Sequence, residues 1–177
     1  MEQAYSVHIA NVVRDAIANA DNTAKHSHKF GELLLAAVRL AAEFHDLGKL
    51  DDINQEVLRT NCGKMIHHVD AGVAHIIDGP RTSVRAVAAL AAFAHHNPGL
   101  PGIVDENEKG TGKVFRDSTP APDGAVFREY TNRQLSGYRT RHQSCVANLP
   151  AVKQLEAKIP APPLLLRLAL SCLVDAD

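Results

Sequence analysis

One stretch of the chain, residues 33–50, decides the fold and reads LLLAAVRLAAEFHDLGKL. Its first part, up to Phe44, is almost entirely apolar, which predicts a largely buried helix that Gly48 is suited to end. An imidazole and a carboxylate, His45 and Asp46, follow at the end of this helix. Adjacent helical residues point about 100° apart, so the two do not form an ordinary same-face ion pair. They can hold one metal ion from two sides, or the carboxylate can bridge two ions.

Length and composition predict a single globular, mainly helical domain over residues 1–177. The chain has 177 residues and is 45% hydrophobic, which suffices for one buried core but not for two ordinary domains. Lys plus Arg number 19 against 20 Asp plus Glu, which excludes a general affinity for polyanions, so a contact with nucleic acid has to be local or depend on bound cations. The ten histidines are the unusual feature.

Cysteine usage and the opening segment bear on the compartment. The three cysteines are scattered, without a Cys-x-x-Cys pair, which fits free thiols in a reducing compartment and argues against a disulfide framework or a structural zinc site. Polar residues interrupt the opening segment, so no secretory signal is predicted. No apolar run approaches the roughly 20 residues needed to cross a bilayer. We therefore expect a cytoplasmic protein without a membrane partner.

Apolar periodicity predicts helices along most of the chain. In chain order they are 6–20 with Ser6 as N-cap, 30–46, 50–60, 65–77, 84–96 with Thr82 or Ser83 as N-cap, 146–159 and 164–177. Residues 101–143 hold glycines, prolines and mixed charges without a sustained period, and we interpret them as an insertion with partial structure of its own or a mobile flap. The predicted fold is all-α, a core of about five to seven helices with a long polar insertion before the last helices.

Side chains with metal-ligand chemistry recur at the faces and ends of these helices. They are His8, His67-His68, His95-His96, Asp175 and Asp177. Neutral imidazole with carboxylate suits Mn, Fe, Co, Ni or Zn, or Mg where oxygen ligands dominate. Two such ions about 4 Å apart clamp and polarise a phosphodiester, and the ammonium of Lys49 can reach a phosphate oxygen.

Each feature also has a simpler explanation. A His-Asp pair at a helix end is more often a capping contact or a charge that compensates the helix dipole. A lone histidine such as His8 is more often satisfied or at the surface, and Asp177 can be a frayed terminus. These explanations do not predict the ordered set of His, His-Asp, His, His-His and Asp.

That order is the signature of the HD superfamily of metal-dependent phosphohydrolases, and three motifs resemble one branch of it. His68-Val69-Asp70-Ala71-Gly72 resembles the His-Ser-x-Ala-Gly motif of the CRISPR-associated HD nucleases. Residues 95–101 (HHNPGLP) resemble their His-His-x-Gly-Leu-Pro motif with one inserted residue, and residues 171–177 (SCLVDAD) resemble the helix that carries their final aspartate. From about His8 to Asp177, the chain thus resembles the HD nuclease domain of the type I CRISPR helicase-nuclease.

The resemblance implies two divalent ions (Mn, Co, Ni, Fe or Mg) and a DNA substrate. One ion would be held by His8, His45, Asp46 and Asp177, and the other by His68, His95 and His96, with Asp46 bridging the two. The catalytic residues would be Asp46 and Lys49, the latter beside the scissile phosphate. His67 in place of His68, and Asp175 in place of Asp177, are the register alternatives; the distance to Ala71-Gly72 favours His68, and the Ala-Asp pair favours Asp177.

The implied activity is metal-dependent cleavage of single-stranded DNA by a two-metal mechanism in CRISPR type I interference. A helicase domain or subunit and the CRISPR surveillance complex would be the partners. Two other functions stay open. One is an HD phosphohydrolase acting on a nucleotide or cyclic dinucleotide, and the other is a non-catalytic metal-binding module that docks on a helicase.

Basic and aromatic side chains are interleaved in the second half of the insertion. They are Arg128, Tyr130, Arg133, Tyr138, Arg139 and Arg141. Such interleaving suits a channel for single-stranded nucleic acid, in which bases stack and guanidinium groups hold phosphates. The alternative is a solvated loop with a few anchoring aromatic residues.

Overall fold

The computed structural model describes residues 4–96, 100, 116–155 and 160–177, and these ranges contain α-helices but no strand. The helices are α1 (Tyr5–Ala24), α2 (Gly31–Phe44), α3 (Asp52–Thr60), α4 (Val69–Ile77), α5 (Ser83–Ala94), α6 (Phe127–Cys145) and α7 (Pro163–Val174). A 3₁₀ turn, Leu47–Leu50, connects α2 to α3. The prediction of an all-α fold with five to seven helices is confirmed.

Helices α1, α2, α5 and α7 enclose the main hydrophobic core. Alanines dominate the buried faces of α2 and α5, and their small side chains let the two helices pack closely. A second, smaller cluster joins the 3₁₀ turn, α4 and α6 through residues such as Leu47, Ala71 and Leu135. His45 and Asp46 follow α2 and immediately precede the 3₁₀ turn, so they lie where the two clusters meet.

Most predicted helices are present with shifted ends. Helix α1 begins at Tyr5, with Ala4 and not Ser6 as its N-cap, and continues past the predicted end at residue 20 to Ala24. Thr82 is the N-cap of α5, and its hydroxyl accepts a hydrogen bond from the backbone N–H of Arg85. In none of the described ranges does a helix combine the length and apolar character that a bilayer crossing requires.

The largest errors concern the insertion and the helix predicted after it. Residues 127–143, which belong to the segment predicted to lack a sustained period, form α6 together with residues 144 and 145. The partial structure that was one of the two interpretations of this segment is therefore a helix. Its buried residues recur at every third or fourth position but include Thr131 and His142, which an apolar pattern does not count. Residues 146–155, predicted to be helical, are not; Asn148 adopts a left-handed φ of 58°, and Pro150 has no N–H to donate. Residues 97–99, 101–115 and 156–159, on which parts of these predictions fall, lie outside the described residues.

Two glycines bring α4 against the end of α2. A Cβ atom on Gly48 would lie 2.3 Å from the backbone oxygen of His68, and one on Gly72 would lie 2.1 Å from that of Phe44. Neither position has room for a side chain. Helix α2 ends at Phe44, so Gly48 does not end it as predicted; it permits this close approach, which places His68 beside His45 and Asp46.

Candidate metal centre

The seven predicted metal ligands converge on Asp46 in two groups, within each of which the ligand atoms lie within 4.8 Å of one another. The first group is His8, His45, Asp46 and Asp177, and the second is Asp46, His68, His95 and His96. The groups draw on α1, the end of α2, the N-cap of α4, the end of α5 and the residues after α7. Residues that are far apart in the chain are therefore assembled around one buried carboxylate.

The two carboxylate oxygens of Asp46 face different groups. Oδ2 lies 2.9 Å from Nε2 of His8 and 3.3 Å from Nε2 of His45. Oδ1 lies 3.2 Å from Nε2 of His68 and 3.9 Å from Nε2 of His95. The side chain of Asp46 is fully buried. This division of the two oxygens is the arrangement that a bridging carboxylate requires.

Three buried side-chain atoms lack a hydrogen-bond partner within the described residues: Oδ1 of Asp46 and Nε2 of both His68 and His95. Burying such an atom without a partner costs about 1–3 kcal/mol, and most buried polar atoms in proteins are satisfied. All three atoms belong to the second group. A cation between them would satisfy all three, so these residues could hold a metal ion.

Hydrogen bonds to backbone carbonyls set the tautomers of two of the histidines. Nδ1 of His45 lies 2.9 Å from the carbonyl oxygen of Ala42, and Nδ1 of His95 lies 2.5 Å from that of Ala92. A carbonyl oxygen only accepts, so in each ring Nδ1 carries the proton and donates. In the neutral ring Nε2 is then left with a lone pair directed at Asp46, as in histidines that ligate metals.

Hydrogen bonds between imidazoles and carboxylates shift the pKa values in the first group. The hydrogen bonds from His8 to Asp177 and Asp46 raise the pKa of His8. Burial lowers the pKa of His45, but hydrogen bonds to Asp177 and Asp46 outweigh burial and raise it to about 9. The same contacts with His45 and His8 lower the pKa of Asp177. Without a cation, protons therefore occupy nitrogen atoms that a metal would otherwise bind, and proton and metal compete.

His96 of the second group differs from the histidines of the first, because burial, and then the neighbouring His95 and His68, lower its pKa to about 4. A neutral His96 is ready to act as a ligand. Lys49 adjoins the first group, where its Nζ contacts Oδ2 of Asp46. Its side chain is 24% exposed, so its ammonium can be reached from solvent.

The structure separates the register alternatives. Nδ1 of His67 contacts Oδ2 of Asp117 at 2.7 Å, and Asp175 accepts a hydrogen bond from Ser171 at 3.1 Å. Neither His67 nor Asp175 belongs to a ligand group in the described part of the chain, whereas His68 and Asp177 do.

The tyrosines of the proposed nucleic-acid channel point into the protein. The hydroxyls of Tyr130 and Tyr138 both donate to Oδ2 of Asp51, at 2.8 and 2.5 Å. Asp51 is buried and also caps α3 through the N–H of Ile53. Tyr138 is only 5% exposed, which argues against base stacking by this residue.

The arginines of the same set are mostly engaged within the chain. Three of them pair with carboxylates: Arg133 with Asp123, Arg139 with Asp78 and Arg141 with Asp52. Arg141 also donates to the carbonyl of Leu50 in the 3₁₀ turn. Arg128 is exposed on the outer face of α6. Helix α6 therefore uses much of this set to hold the 3₁₀ turn and α4 in place.

Asn54 supports the site and was not predicted from the sequence. Its side chain is fully buried, donates to the carbonyl of Gly48 at 2.9 Å and accepts from the N–H of Ile66 at 2.8 Å. Asn54 thereby ties the turn after Asp46 to the segment that leads into His68. An asparagine in a short polar helix gives no sequence signal for this role, because both of its partners are backbone groups of other segments.

The site is buried at its centre and accessible at its edge. The side chain of Asp46 is inaccessible, whereas His96 and Asp177 are exposed and those of His8 and His68 are 18% and 17% exposed. Each group therefore has members that solvent can reach. No family model, curated protein or solved structure matches this chain, so function is inferred from the ligand set and its geometry.

Proposed function

We propose that this chain is a metal-dependent phosphodiesterase that cleaves single-stranded DNA with two divalent ions. The observation that carries the proposal is the position of Asp46, fully buried with Oδ2 toward His8 and His45 and Oδ1 toward His68 and His95. One carboxylate shared by two histidine groups supports a pair of ions, and paired ions are the usual solution for in-line displacement at phosphorus.

The chain's own residues would bind and orient both ions. His8, His45 and Asp177 would hold one, and His68, His95 and His96 the other, with Asp46 between them. Bound there, the ions would polarise the phosphodiester and make water nucleophilic near neutral pH. The carbonyls of Ala42 and Ala92 keep two of the rings in the ligating tautomer. A ligand set of five imidazoles favours Mn, Co, Ni or Fe over Mg, which prefers oxygen ligands.

Lys49 would act on the substrate's charge. Its ammonium contacts Asp46 and is partly exposed, so it can turn from the carboxylate toward a phosphate oxygen at the rim. A point charge of this kind stabilises the additional negative charge that develops on the phosphoryl oxygens.

The preference for DNA rests on the motifs at His68 to Gly72 and at residues 95–101, which resemble those of CRISPR-associated HD nucleases. In this proposal a helicase domain or subunit and the CRISPR surveillance complex supply the strand. One observation favours a second candidate, a phosphohydrolase acting on a nucleotide or cyclic dinucleotide. Most of the basic and aromatic side chains of α6 bind other groups of the chain, which counts against their use in binding a DNA strand.

One experiment separates these functions. The chain is incubated with Mn²⁺ and circular single-stranded DNA, beside a panel of nucleoside triphosphates and cyclic dinucleotides. We expect cleavage of the circle, lost in Asp46→Ala and retained in Asp52→Ala, a matched control because Asp52 is exposed and outside both ligand groups. Hydrolysis of the nucleoside triphosphates or of the cyclic dinucleotides, without cleavage of the DNA circle, would establish the second candidate. Bound metal without turnover would leave a non-catalytic module that docks on a helicase.

A further inference from the structure

Asp70 is a buried carboxylate that belongs to neither ligand group. It lies in the first turn of α4, two residues after His68, and is 2% exposed. It accepts hydrogen bonds from Nε and Nη2 of Arg116 at 2.8 and 3.1 Å, and from the backbone N–H of Asp117 at 2.9 Å. A buried charge is tolerated when it is paired and hydrogen-bonded in this way. Asp70 thus fixes residues 116–117 against the start of α4.

The contacts continue from Asp117 to the neighbour of a ligand. Oδ2 of Asp117 lies 2.7 Å from Nδ1 of His67, and Oδ1 accepts from the N–H and hydroxyl of Thr119. Arg116 also donates to Asn132 of α6 at 2.9 Å. Through these bonds Asp70 joins α4, the segment 116–119 and α6 beside the residue that precedes His68.

His68 depends on such contacts because residues 65–68 lie outside the helices. Gly48 packs on its backbone from one side, and Asn54 holds the N–H of Ile66. The bond from His67 to Asp117 is the third constraint. Metal affinity is sensitive to the residues that orient ligands, and their loss costs roughly 10- to 100-fold.

We propose that Asp70 is a positioning residue for the second ligand group, acting through Arg116 and Asp117 on His67 and hence on the orientation of His68. The inference rests on the proposed metal function but concerns one group only. Because the chain of contacts reaches His68 and none of its members touches His8 or Asp177 in the described residues, loss of Asp70 affects the two ions unequally.

Calorimetric titration of the full chain with Mn²⁺ tests this proposal. The variants are Asp70→Asn, Arg116→Gln and the double variant, with Arg133→Gln as control because Arg133 also pairs with an aspartate but lies on the exposed face of α6. His95→Ala identifies the second-group ion as the ion that it removes. We expect each single variant to lower the affinity for the second-group ion about tenfold. The affinity for the other ion should stay within about twofold of wild type. The double variant should be no weaker than the singles, because residues in one network are not additive.

Distinct outcomes separate the two inferences. Wild-type affinity for both ions in Asp70→Asn, or equal loss of both, overturns the positioning role while leaving the proposed function standing. A wild-type chain that binds no Mn²⁺ overturns both. Should Asp70→Asn fail to fold by circular dichroism, Arg116→Gln and the conservative Arg116→Lys decide, since the charge-preserving variant should restore part of the lost affinity if the contact positions His68.

Discussion

Two histidine clusters adjoin the end of α2, and only one of them contains buried ring nitrogens without a hydrogen-bond partner among the described residues. In the metal-site cluster, defined by the two ligand groups above, Nε2 of His68 and His95 and Oδ1 of Asp46 are buried without a hydrogen bond within the described residues. The second cluster is defined as His75, His142, Tyr5, Glu43 and Arg139. It contacts Phe44, whose ring centroid lies 3.9 Å from that of His75 and 4.8 Å from that of His142.

Three ring nitrogens of the second cluster contact other groups of the protein. Nδ1 of His142 is bonded to the hydroxyl of Tyr5 at 2.9 Å, and its Nε2 contacts Glu43 at 3.5 Å. Nδ1 of His75 accepts from Nε of Arg139 at 2.9 Å. Burial, and then the charge of Arg139, lowers the pKa of His75 to about 4, so the ring is neutral. Burial of a histidine therefore does not distinguish the two clusters. Among the described residues, a buried ring nitrogen that faces a carboxylate without a hydrogen bond occurs only in the metal-site cluster, at His68 and His95.

The largest expected effect is that of Asp46→Ala on the metal-site cluster. Removing the shared carboxylate should lower the affinity for both ions by at least about a hundredfold, because each group loses a ligand. Turnover should be abolished. Elemental analysis after dialysis and calorimetry with Mn²⁺ measure this. Retention of one ion at wild-type affinity would show that Asp46 serves a single ion and is not a bridge. Asp52→Ala is the control.

Metal ions should stabilise the fold by binding to the metal-site cluster and not to the second cluster. At a hundredfold excess over the dissociation constant, each ion adds about 2.7 kcal/mol to the free energy of unfolding, or roughly 5–10 °C in melting temperature for a chain of this size. EDTA should reverse the shift. We expect the shift to persist in His142→Ala and to shrink in His95→Ala; a shift lost equally in both variants would remove the distinction between the clusters.

Disruption of the second cluster should cost stability and leave metal binding intact. His142→Ala removes a buried ring and leaves the Tyr5 hydroxyl and Glu43 without that partner. We expect a loss of about 2 kcal/mol in the free energy of unfolding, with Mn²⁺ affinity within about twofold of wild type. Urea unfolding and calorimetry on the same preparation measure both. Loss of metal affinity would mean that Tyr5, three residues before His8, positions that ligand through His142.

The smallest expected effect is a change in the slope of stability with pH, at most about 1.4 kcal/mol per pH unit for one proton. The slope of stability with pH should have opposite signs for the two clusters. His75 has a lowered pKa, so its contribution is present above its ordinary value near 6.5 and is lost as pH falls toward 4. His45, raised to about 9 without metal, contributes fully below 6.5, and that contribution is lost as pH rises through 9.

Urea unfolding between pH 4 and 9 in EDTA measures these slopes, with His75→Gln as the variant that should flatten the acid side only. Metal affinity should rise with pH up to about 9, because over this range the metal-free His45 carries a proton that the ion has to displace. A metal affinity insensitive to pH between 5 and 8 would contradict a histidine-rich site.

Part of the fold follows from local pattern. The apolar period of α1, α2, α5 and α7 predicted these helices because their buried faces are made of aliphatic side chains. Helix α6 was missed because its buried face includes Thr131 and His142, whose burial depends on partners in other elements. The helix predicted from residue 146 failed in its described part, where the conformation of Asn148 and the proline at 150 outweigh the apolar spacing.

By itself the sequence determined an all-α chain whose histidines and aspartates follow an ordered set, with His45 and Asp46 at the end of a buried helix. Only the tertiary structure decided that His68 and not His67 faces Asp46, and that Tyr138 turns inward to Asp51. The physical reason is the same in both cases. The partner of a polar side chain is set by contacts between elements distant in sequence, here the backbone contact at Gly48 and the buried hydrogen bonds of Asn54 and Asp51, and periodicity carries no information about them.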